Sequence, residues 1–231
     1  MRDEVGTVLV TGGSSGLGAA VASAVEEHGG KAIVLDRVPP PNGFAFEQVD
    51  LADPREAEAA VRRVAEAAGG LDAIVTAAGT DACGDLLDVD ADDWDRVITV
   101  NLLGTVAVVR AALPDLLRLE GRGRVVTVAS TLGLRALSDA TAYCASKFGV
   151  VGFSRAFAAE MQGRVGVTML VPGGMHTAFF DGRDEQYKPP PDAKLNQPSD
   201  VARAVVFALR QPTGCEVREL VITPSVEGSW P

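Results

Sequence analysis

Tyr143 and Lys147 stand four residues apart in the stretch YCASK and form the pair best suited to proton transfer. On a helix, residues at this spacing share a face, so the ammonium can lie beside the phenol. A phenol with a pKa of about 10 is a poor base at neutral pH, and a neighbouring ammonium favours the phenolate. We therefore expect Tyr143 to act as a general acid/base with a pKa that Lys147 lowers.

Ser130 ends the predicted strand GRVVTVAS, upstream of this pair. Ligands of parallel sheets bind at the carboxyl ends of the strands, where its hydroxyl can share a substrate oxygen with the phenol. A lone serine at this position would more often cap a helix or form a turn. Together with Tyr143 and Lys147, it is expected to be catalytic.

The stretch TGGSSGLG, residues 11 to 18, fits two chemistries. It contains the G-x-S-x-G elbow of serine hydrolases, and its glycines also suit a turn that approaches dinucleotide phosphates. A hydrolase needs a later histidine with an acid between, and the chain has only His28 and His176. The turn follows the first strand and opens the first helix, which favours phosphate binding. The predicted cofactor-binding residues here are Gly12, Ser14, Ser15, Gly16, Leu17 and Gly18.

Asp36 ends the second predicted strand, where an acid can accept hydrogen bonds from an adenosine ribose and repel a 2′-phosphate. This favours NAD over NADP. Arg37 opposes the preference, because an arginine there can stack on adenine or meet a phosphate, although it can equally be solvated. Asp50 and Leu51 follow the third strand and could flank the adenine, and Asp50 could instead cap a helix.

The elements that must position these residues alternate between short apolar strands and longer helices. Helices are predicted at 16–28, 53–68, 92–119, 141–162 and about 199–210, with strands between them. This alternation predicts an α/β fold with a doubly wound parallel sheet and helices on both faces. The long, proline-rich segment 178–198 begins with two phenylalanines and is expected to be a substrate lid. Its aromatic residues suggest an apolar or ring-shaped substrate, or they seat the lid on the core.

Composition narrows the possible partners. The 231 residues carry 31 acidic and 21 basic side chains, a net charge of −10, which disfavours nucleic acids and anionic membranes as partners. The apolar run from Val97 is interrupted by polar residues and a proline, so it is read as a buried helix instead of a membrane span. No signal peptide is recognised, and three widely spaced cysteines suggest neither disulfides nor a metal site. We expect a cytoplasmic location.

The chain resembles the short-chain dehydrogenase/reductase family from about Thr7 to Thr223. The likeness rests on the T-G-x-x-x-G-x-G turn, Asn101 in a long helix, Ser130, Tyr143-x-x-x-Lys147, and PGGMHT after the sixth strand. It implies one Rossmann-like domain over residues 1–231 with about seven parallel strands. It also implies an NAD(H)-dependent oxidoreductase that interconverts a secondary alcohol and a ketone, and a homodimer or homotetramer formed through helices 92–119 and 141–162.

The resemblance also implies roles for individual residues. Tyr143 would be the acid/base, Lys147 would also hold the nicotinamide ribose, and Asn101 would support a proton-relay water. A basic residue often precedes the second glycine of the turn in NADP-preferring relatives, and Ser15 stands there instead. Alternatives are an NADPH-dependent ketone reductase of the 3-oxoacyl type and a catalytically silent cofactor-binding sensor or scaffold. Further cofactor-binding residues are expected to be Ala78, Gly79, Pro172, Gly173, Met175 and Thr177.

Two departures from the family pattern stand out. The family's Asn-Asn-Ala-Gly is replaced by TAAG, Thr76 to Gly79, which removes amides that tie strands together but keeps small residues beside the cofactor. Cofactor binding is expected to survive. The tail VITPSVEGSWP lacks the usual glycine pair, and its Trp230 would cover a partner or the substrate cleft, or belong to a disordered terminus.

Overall fold

The computed structural model describes residues 4–228. Trp230 lies outside the described residues. Seven strands form one parallel sheet in the order β3-β2-β1-β4-β5-β6-β7. The strands are β1 (Thr7–Thr11), β2 (Lys31–Asp36), β3 (Ala45–Gln48), β4 (Ala73–Thr76), β5 (Arg124–Val128), β6 (Gly166–Pro172) and β7 (Glu219–Ile222). The helices are α1 (Gly16–Glu27), α2 (Pro54–Ala68), α3 (Ala91–Ile98), α4 (Thr105–Leu117), α5 (Thr141–Glu160) and α6 (Pro198–Leu209).

Two apolar cores cover the two faces of the sheet. Successive strand residues point to opposite faces, so Leu9 enters one core and its neighbours Val8 and Val10 enter the other. The first core contains residues of α2, α4 and α5, and the second contains residues of α1 and α6. Strands buried on both faces must be apolar at nearly every position, as predicted. The doubly wound single-domain fold is confirmed.

The strand order reverses between β1 and β4, which are neighbours in the sheet although two strands separate them in sequence. In open α/β sheets, ligands bind in the crevice that such a reversal leaves at the carboxyl ends of the strands. The loops that follow β1, β4, β5 and β6 open onto this edge. They carry the glycine turn, Ala78 and Gly79, Ser130, and Met175 and Thr177, whereas Asn101, Tyr143 and Lys147 lie on helices that reach this edge.

The predicted uninterrupted helix over 92–119 is instead α3 and α4 joined by a π-helical turn, Thr99–Gly104. Gly104 is pressed against the core there, since a Cβ would lie 2.9 Å from the Leu51 Cβ. The Thr105 hydroxyl donates to the Asn101 carbonyl at 2.8 Å. By length and composition alone, Ala91–Leu117 would suffice to cross a membrane, and half of its most apolar 18-residue window is buried in the fold.

Candidate active site

The glycine-rich turn leaves the first turn of α1 open to an anion. Ser15 is the N-cap residue of α1, and within residues 4–228 no side chain caps that helix end. Gly12 and Gly16 adopt positive φ angles of 68° and 51°. A Cβ at Gly18 would overlap the Gly12 carbonyl, so the helix can start this close to β1 only with glycine there. The turn therefore presents backbone N–H groups at a helix N-terminus, the usual setting for a phosphate.

The Asp36 carboxylate is fixed beside this turn. Its Oδ2 accepts the Ser14 N–H at 3.0 Å, and its Oδ1 accepts the Arg37 N–H at 2.6 Å. The Ser14 hydroxyl donates to the Val38 carbonyl at 2.5 Å and ties the turn to the end of β2. Asp36 is half-buried and Arg37 is exposed. A carboxylate held in this way can still accept hydrogen bonds from ribose hydroxyls.

Asp50 pairs with an arginine of α3 instead of capping α2. Arg96 Nη2 contacts both Asp50 oxygens, the nearer at 2.8 Å. Burial alone would raise the pKa of Asp50, but hydrogen bonds from Arg96 and the Ala52 N–H and the Arg96 charge hold it below its ordinary value. The cap of α2 is Asp53. The idea of Asp50 as a helix cap is therefore wrong, and its contact with an adenine stays a prediction, as does that of the buried Leu51.

Ser130, Tyr143 and Lys147 meet at the carboxyl edge, as the sequence predicted. A hydrogen bond links the Ser130 and Tyr143 side chains, and the Ser130 oxygen accepts the Leu132 N–H at 3.1 Å. Lys147 Nζ lies 5.6 Å from the centroid of the Tyr143 ring and donates to the Val128 carbonyl at 2.9 Å. The first turns of α5 thus hold an acid/base and a cation beside a hydroxyl at the end of β5.

The expected depression of the Tyr143 pKa is not present in this cleft. Burial raises the pKa of Tyr143, and the hydrogen bond with Ser130 only partly opposes this. Burial also lowers the pKa of Lys147 to about 8, with the charge of Asp81 opposing. The ammonium rests on the Val128 carbonyl rather than at the phenol oxygen. Burial therefore decides the direction of the Tyr143 pKa shift.

Asn101 has a positioning role that sequence reasoning missed. Its Oδ1 accepts the Thr80 N–H at 2.8 Å, and its Nδ2 donates to the Thr80 carbonyl at 2.9 Å and to the Ser146 Oγ at 3.0 Å. The buried side chain therefore ties the loop after β4 to α5. The predicted proton-relay water at Asn101 stays a prediction.

In the TAAG segment, a hydrogen bond from the backbone to a threonine joins the turn at the end of β1 to the loop after β4. The Thr11 hydroxyl oxygen accepts the Ala78 N–H at 3.1 Å. A Cβ at Gly12 would lie 2.7 Å from the Ala78 Cα, so the backbones of the two loops are in close contact. Gly79 faces the site, since a Cβ there would lie 3.9 Å from Lys147 Nζ. The small residues expected beside a cofactor thus lie between the phosphate turn and the catalytic group.

The segment after β6 approaches the same turn from the other side. A Cβ at Gly16 would lie 3.2 Å from the Thr177 Cγ2. Met175 forms a short parallel bridge with Asn196, which anchors the far end of segment 178–198. A Cβ at Gly173, next to Pro172, would overlap the Glu227 carboxylate. Gly173 is therefore explained by packing, and Thr177 lies where it can reach a bound dinucleotide.

Segment 178–198 covers the catalytic tyrosine. The Phe179 ring lies 5.6 Å from the Tyr143 ring, centroid to centroid. Arg183 forms an ion pair of 2.9 Å with Asp81 in the loop after β4. Sequence reasoning missed both charged residues, because neither belongs to a local pattern. The lid phenylalanines, which suggested an apolar or ring-shaped substrate, contact Arg183 and Tyr143.

These residues fit a nicotinamide dinucleotide. Uncapped N–H groups at α1 suit the phosphates, Asp36 suits a ribose, and Lys147 and Thr177 lie further along the same edge. Gly12 and Gly18 leave no room for a Cβ, because backbone atoms of Ala78 and of Gly12 itself occupy those positions, so the start of α1 and the loop after β4 pack closely at the phosphate turn. The arrangement can bind the cofactor and move a proton to or from a substrate oxygen.

Comparison with known proteins agrees with this geometry. The chain is 30% identical over 227 residues to an uncharacterized oxidoreductase of Staphylococcus aureus (strain MW2), covering 94% of this chain and 96% of that protein. Its fold matches a Thermoplasma acidophilum aldohexose dehydrogenase in ligand-free form (TM-score 0.84, 24% identity, 96% and 93% of the two chains). It also matches a Thermococcus sibiricus alcohol dehydrogenase complexed with 5-hydroxy-NADP (TM-score 0.82, 24% identity, 93% and 94%).

The family model described as short chain dehydrogenase matches residues 6–188, which include the glycine turn, Asn101 and the catalytic group. Members of this family bind a nicotinamide dinucleotide. The chain belongs to the short-chain dehydrogenase/reductase family of oxidoreductases.

Proposed function

We propose that the protein is an NAD(H)-dependent dehydrogenase that interconverts a secondary alcohol and a ketone. The observation that carries the proposal is the meeting of Ser130, Tyr143 and Lys147 next to an uncapped, glycine-rich helix start. A proton donor, a hydroxyl and a cation at one sheet edge suit a substrate oxygen that gains or loses a proton.

When bound, the nicotinamide accepts or supplies the hydride. Ser130 holds the substrate oxygen by a hydrogen bond while Tyr143 takes or gives the hydroxyl proton. Lys147 would hold the nicotinamide ribose, and its charge lies 5.6 Å from the centre of the Tyr143 ring. Because burial raises the Tyr143 pKa in the closed cleft, alcohol oxidation depends on this charge and on that of the oxidised cofactor.

The orientation of Asp36 supports the preference for NAD. Its carboxylate is fixed by two backbone N–H groups, so it cannot turn away to admit a 2′-phosphate. Arg37 supports the alternative of an NADPH-dependent ketone reductase, as does the related alcohol dehydrogenase complexed with 5-hydroxy-NADP. Fluorescence titration with NADH and NADPH separates the two. Asp36→Asn should raise NADPH affinity about tenfold or more, and tighter NADPH binding by the unmodified protein would contradict the preference.

A screen of secondary alcohols with NAD, followed by the absorbance of the reduced nicotinamide, tests the activity itself. Tyr143→Phe should abolish turnover and retain NADH binding. Tyr187→Phe is a matched control because it changes the only other tyrosine of the chain. Full activity of the Tyr143 variant would refute the mechanism. Cofactor binding without turnover of any substrate would favour a sensor or scaffold.

We also propose that the protein forms a homo-oligomer through the faces of the π turn and α5. Leu103 and Phe148 are 47% and 45% exposed there. Large apolar side chains on one surface favour a protein contact. Light scattering should show a dimer or tetramer that Phe148→Glu dissociates, and a monomer would contradict the proposal.

A further inference from the structure

A buried ion pair lies beside the catalytic tyrosine. Arg183 of the lid and Asp81 of the loop after β4 are 2.9 Å apart, and their side chains are only 16% and 8% exposed. Both charges act on Tyr143, since Asp81 raises its pKa and Arg183 lowers it. Arg183 contacts the Phe179 ring, which packs on Tyr143, so the pair borders the cleft where the substrate of the proposed reaction would bind.

Two aromatic rings hold the guanidinium of Arg183. Its central carbon lies 4.7 Å from the ring centroid of Phe179 and 4.7 Å from that of Phe180. Phe179 in turn packs on Tyr143. These cation–π contacts fix the position of the charge without using its hydrogen-bond donors.

Most of the Arg183 donors contact no acceptor in the described part of the chain and reach the surface of the cleft. A guanidinium carries five N–H groups, and among residues 4–228 the one acceptor that contacts it is the Asp81 carboxylate. Asp81, by contrast, has other donors: the Ala82 N–H at 2.8 Å and the Cys83 thiol at 3.3 Å. Asp81 therefore keeps two hydrogen bonds of its own when the guanidinium, held between the two rings, offers its remaining N–H groups to a second acceptor.

The spare donors discriminate between substrates. An apolar substrate under the lid would bury N–H groups of a charged side chain without acceptors, which is unfavourable. A carboxylate would satisfy two of them at once in the planar geometry that arginine favours. The acceptor that fits this part of the cleft is therefore an anionic, two-oxygen group.

We propose that Arg183 binds a carboxylate of the substrate, so that the enzyme interconverts hydroxy acids and oxo acids. The inference rests on the proposed dehydrogenase function. In oxidation, the C–H bond at the carbinol carbon would break and its hydride would pass to NAD, which becomes NADH, while the hydroxyl proton would pass to the phenolate form of Tyr143 and the C=O bond of the ketone would form. The carboxylate takes no part in these bond changes and serves to orient the substrate against Arg183.

The test compares hydroxy acids of increasing chain length with their methyl esters, which carry the same alcohol without the charge. We expect the best acid to exceed its ester in kcat/KM by about ten- to a hundredfold. In Arg183→Met, the ratio of kcat/KM for the acid to that for the ester should fall to about one. Asp81→Asn should keep or raise it, because asparagine still accepts the Ala82 N–H and no longer competes as an anion for Arg183. Arg203→Met, an exposed position on α6, removes the same charge and should leave the ratio unchanged.

If Arg183 and Asp81 only hold the lid in place, Arg183→Met and Asp81→Asn will each lower kcat/KM for the acid and for the ester by the same factor. The inference then fails. Equal use of acid and ester by the unmodified enzyme also overturns it. Calorimetric titration of the Tyr143→Phe protein with an oxo acid and its ester gives a readout independent of turnover. Arg183-dependent binding of the acid with no turnover by the unmodified protein would refute the dehydrogenase function alone. Turnover of alcohols without dependence on Arg183 would refute only the carboxylate site.

Discussion

The ring of Phe179 lies over the ring of Tyr143, with centroids 5.6 Å apart and planes inclined by 53°. This contact covers part of the half-buried Tyr143 ring, and burial is the largest cause of the raised pKa of its phenol. We therefore expect the lid to hinder ionisation of the phenol, because a buried phenolate is poorly solvated.

Replacing Phe179 with alanine should lower the pKa of Tyr143 toward its ordinary value. In a Tyr187→Phe background, Tyr143 is the only tyrosine, so its phenolate absorbance can be followed against pH. Phe180→Ala is the matched control: it removes a neighbouring lid phenylalanine that contacts Phe179 and Arg183, while Phe179 keeps its contact with Tyr143. An unchanged titration in the Phe179 variant would show that the lid does not set the pKa.

Lys147→Met should remove activity and stabilise the free protein at neutral pH. The pKa of Lys147 falls from 10.5 to about 8 on folding, so protonating it in the fold is unfavourable. The unfavourable free energy is fully present below pH 8, falls as the pH rises from 8 to 10.5, and vanishes above 10.5, where Lys147 is neutral in both the folded and the unfolded state. With the lost bond to Val128 subtracted, the gain is on the order of 2 kcal/mol. Urea unfolding of both proteins at neutral and alkaline pH measures it, and a variant that is less stable at neutral pH would contradict this account.

Asn101→Ala should destabilise the fold as well as impair catalysis. The substitution removes two hydrogen bonds from Asn101 to the Thr80 backbone and one to Ser146. The buried groups that made these bonds are left without partners. We expect a loss of about 2–4 kcal/mol in the free energy of unfolding. Ser146→Ala removes one of these bonds and should cost about 1 kcal/mol. Equal losses in the two variants, measured by urea unfolding, would argue against Asn101 as the centre of the network.

Two helical glycines should respond oppositely to alanine. At Gly18 a Cβ would overlap the Gly12 carbonyl, so Gly18→Ala should distort the turn and weaken NADH binding at least tenfold. At Gly152 in α5 a Cβ meets nothing within 4 Å, and Gly152→Ala should add about 0.5–1 kcal/mol of stability. Titration with NADH and thermal melting of both variants test this pair. Unimpaired NADH binding by Gly18→Ala would contradict the assignment of the turn.

Local patterns in the sequence were enough to predict much of this protein. The apolar strands, the glycine turn and the spacing of Tyr143 and Lys147 each depend on neighbours within a few residues, where backbone geometry dictates side-chain placement. The parallel order of the strands then brings their carboxyl ends to one edge. Hence the fold and the meeting of Ser130 with the tyrosine and lysine were predictable.

Contacts between segments that are far apart in sequence could be determined only from the tertiary structure. The Asp81–Arg183 pair, the Phe179 ring over Tyr143, and the hold of Asn101 on Thr80 link loops that are far apart in sequence. No periodicity records such contacts, because they arise from how loops pack once the sheet has formed. The raised pKa of Tyr143 also depends on tertiary structure: the i, i+4 spacing places a cation near the phenol, but burial in the folded protein determines the direction of the pKa shift.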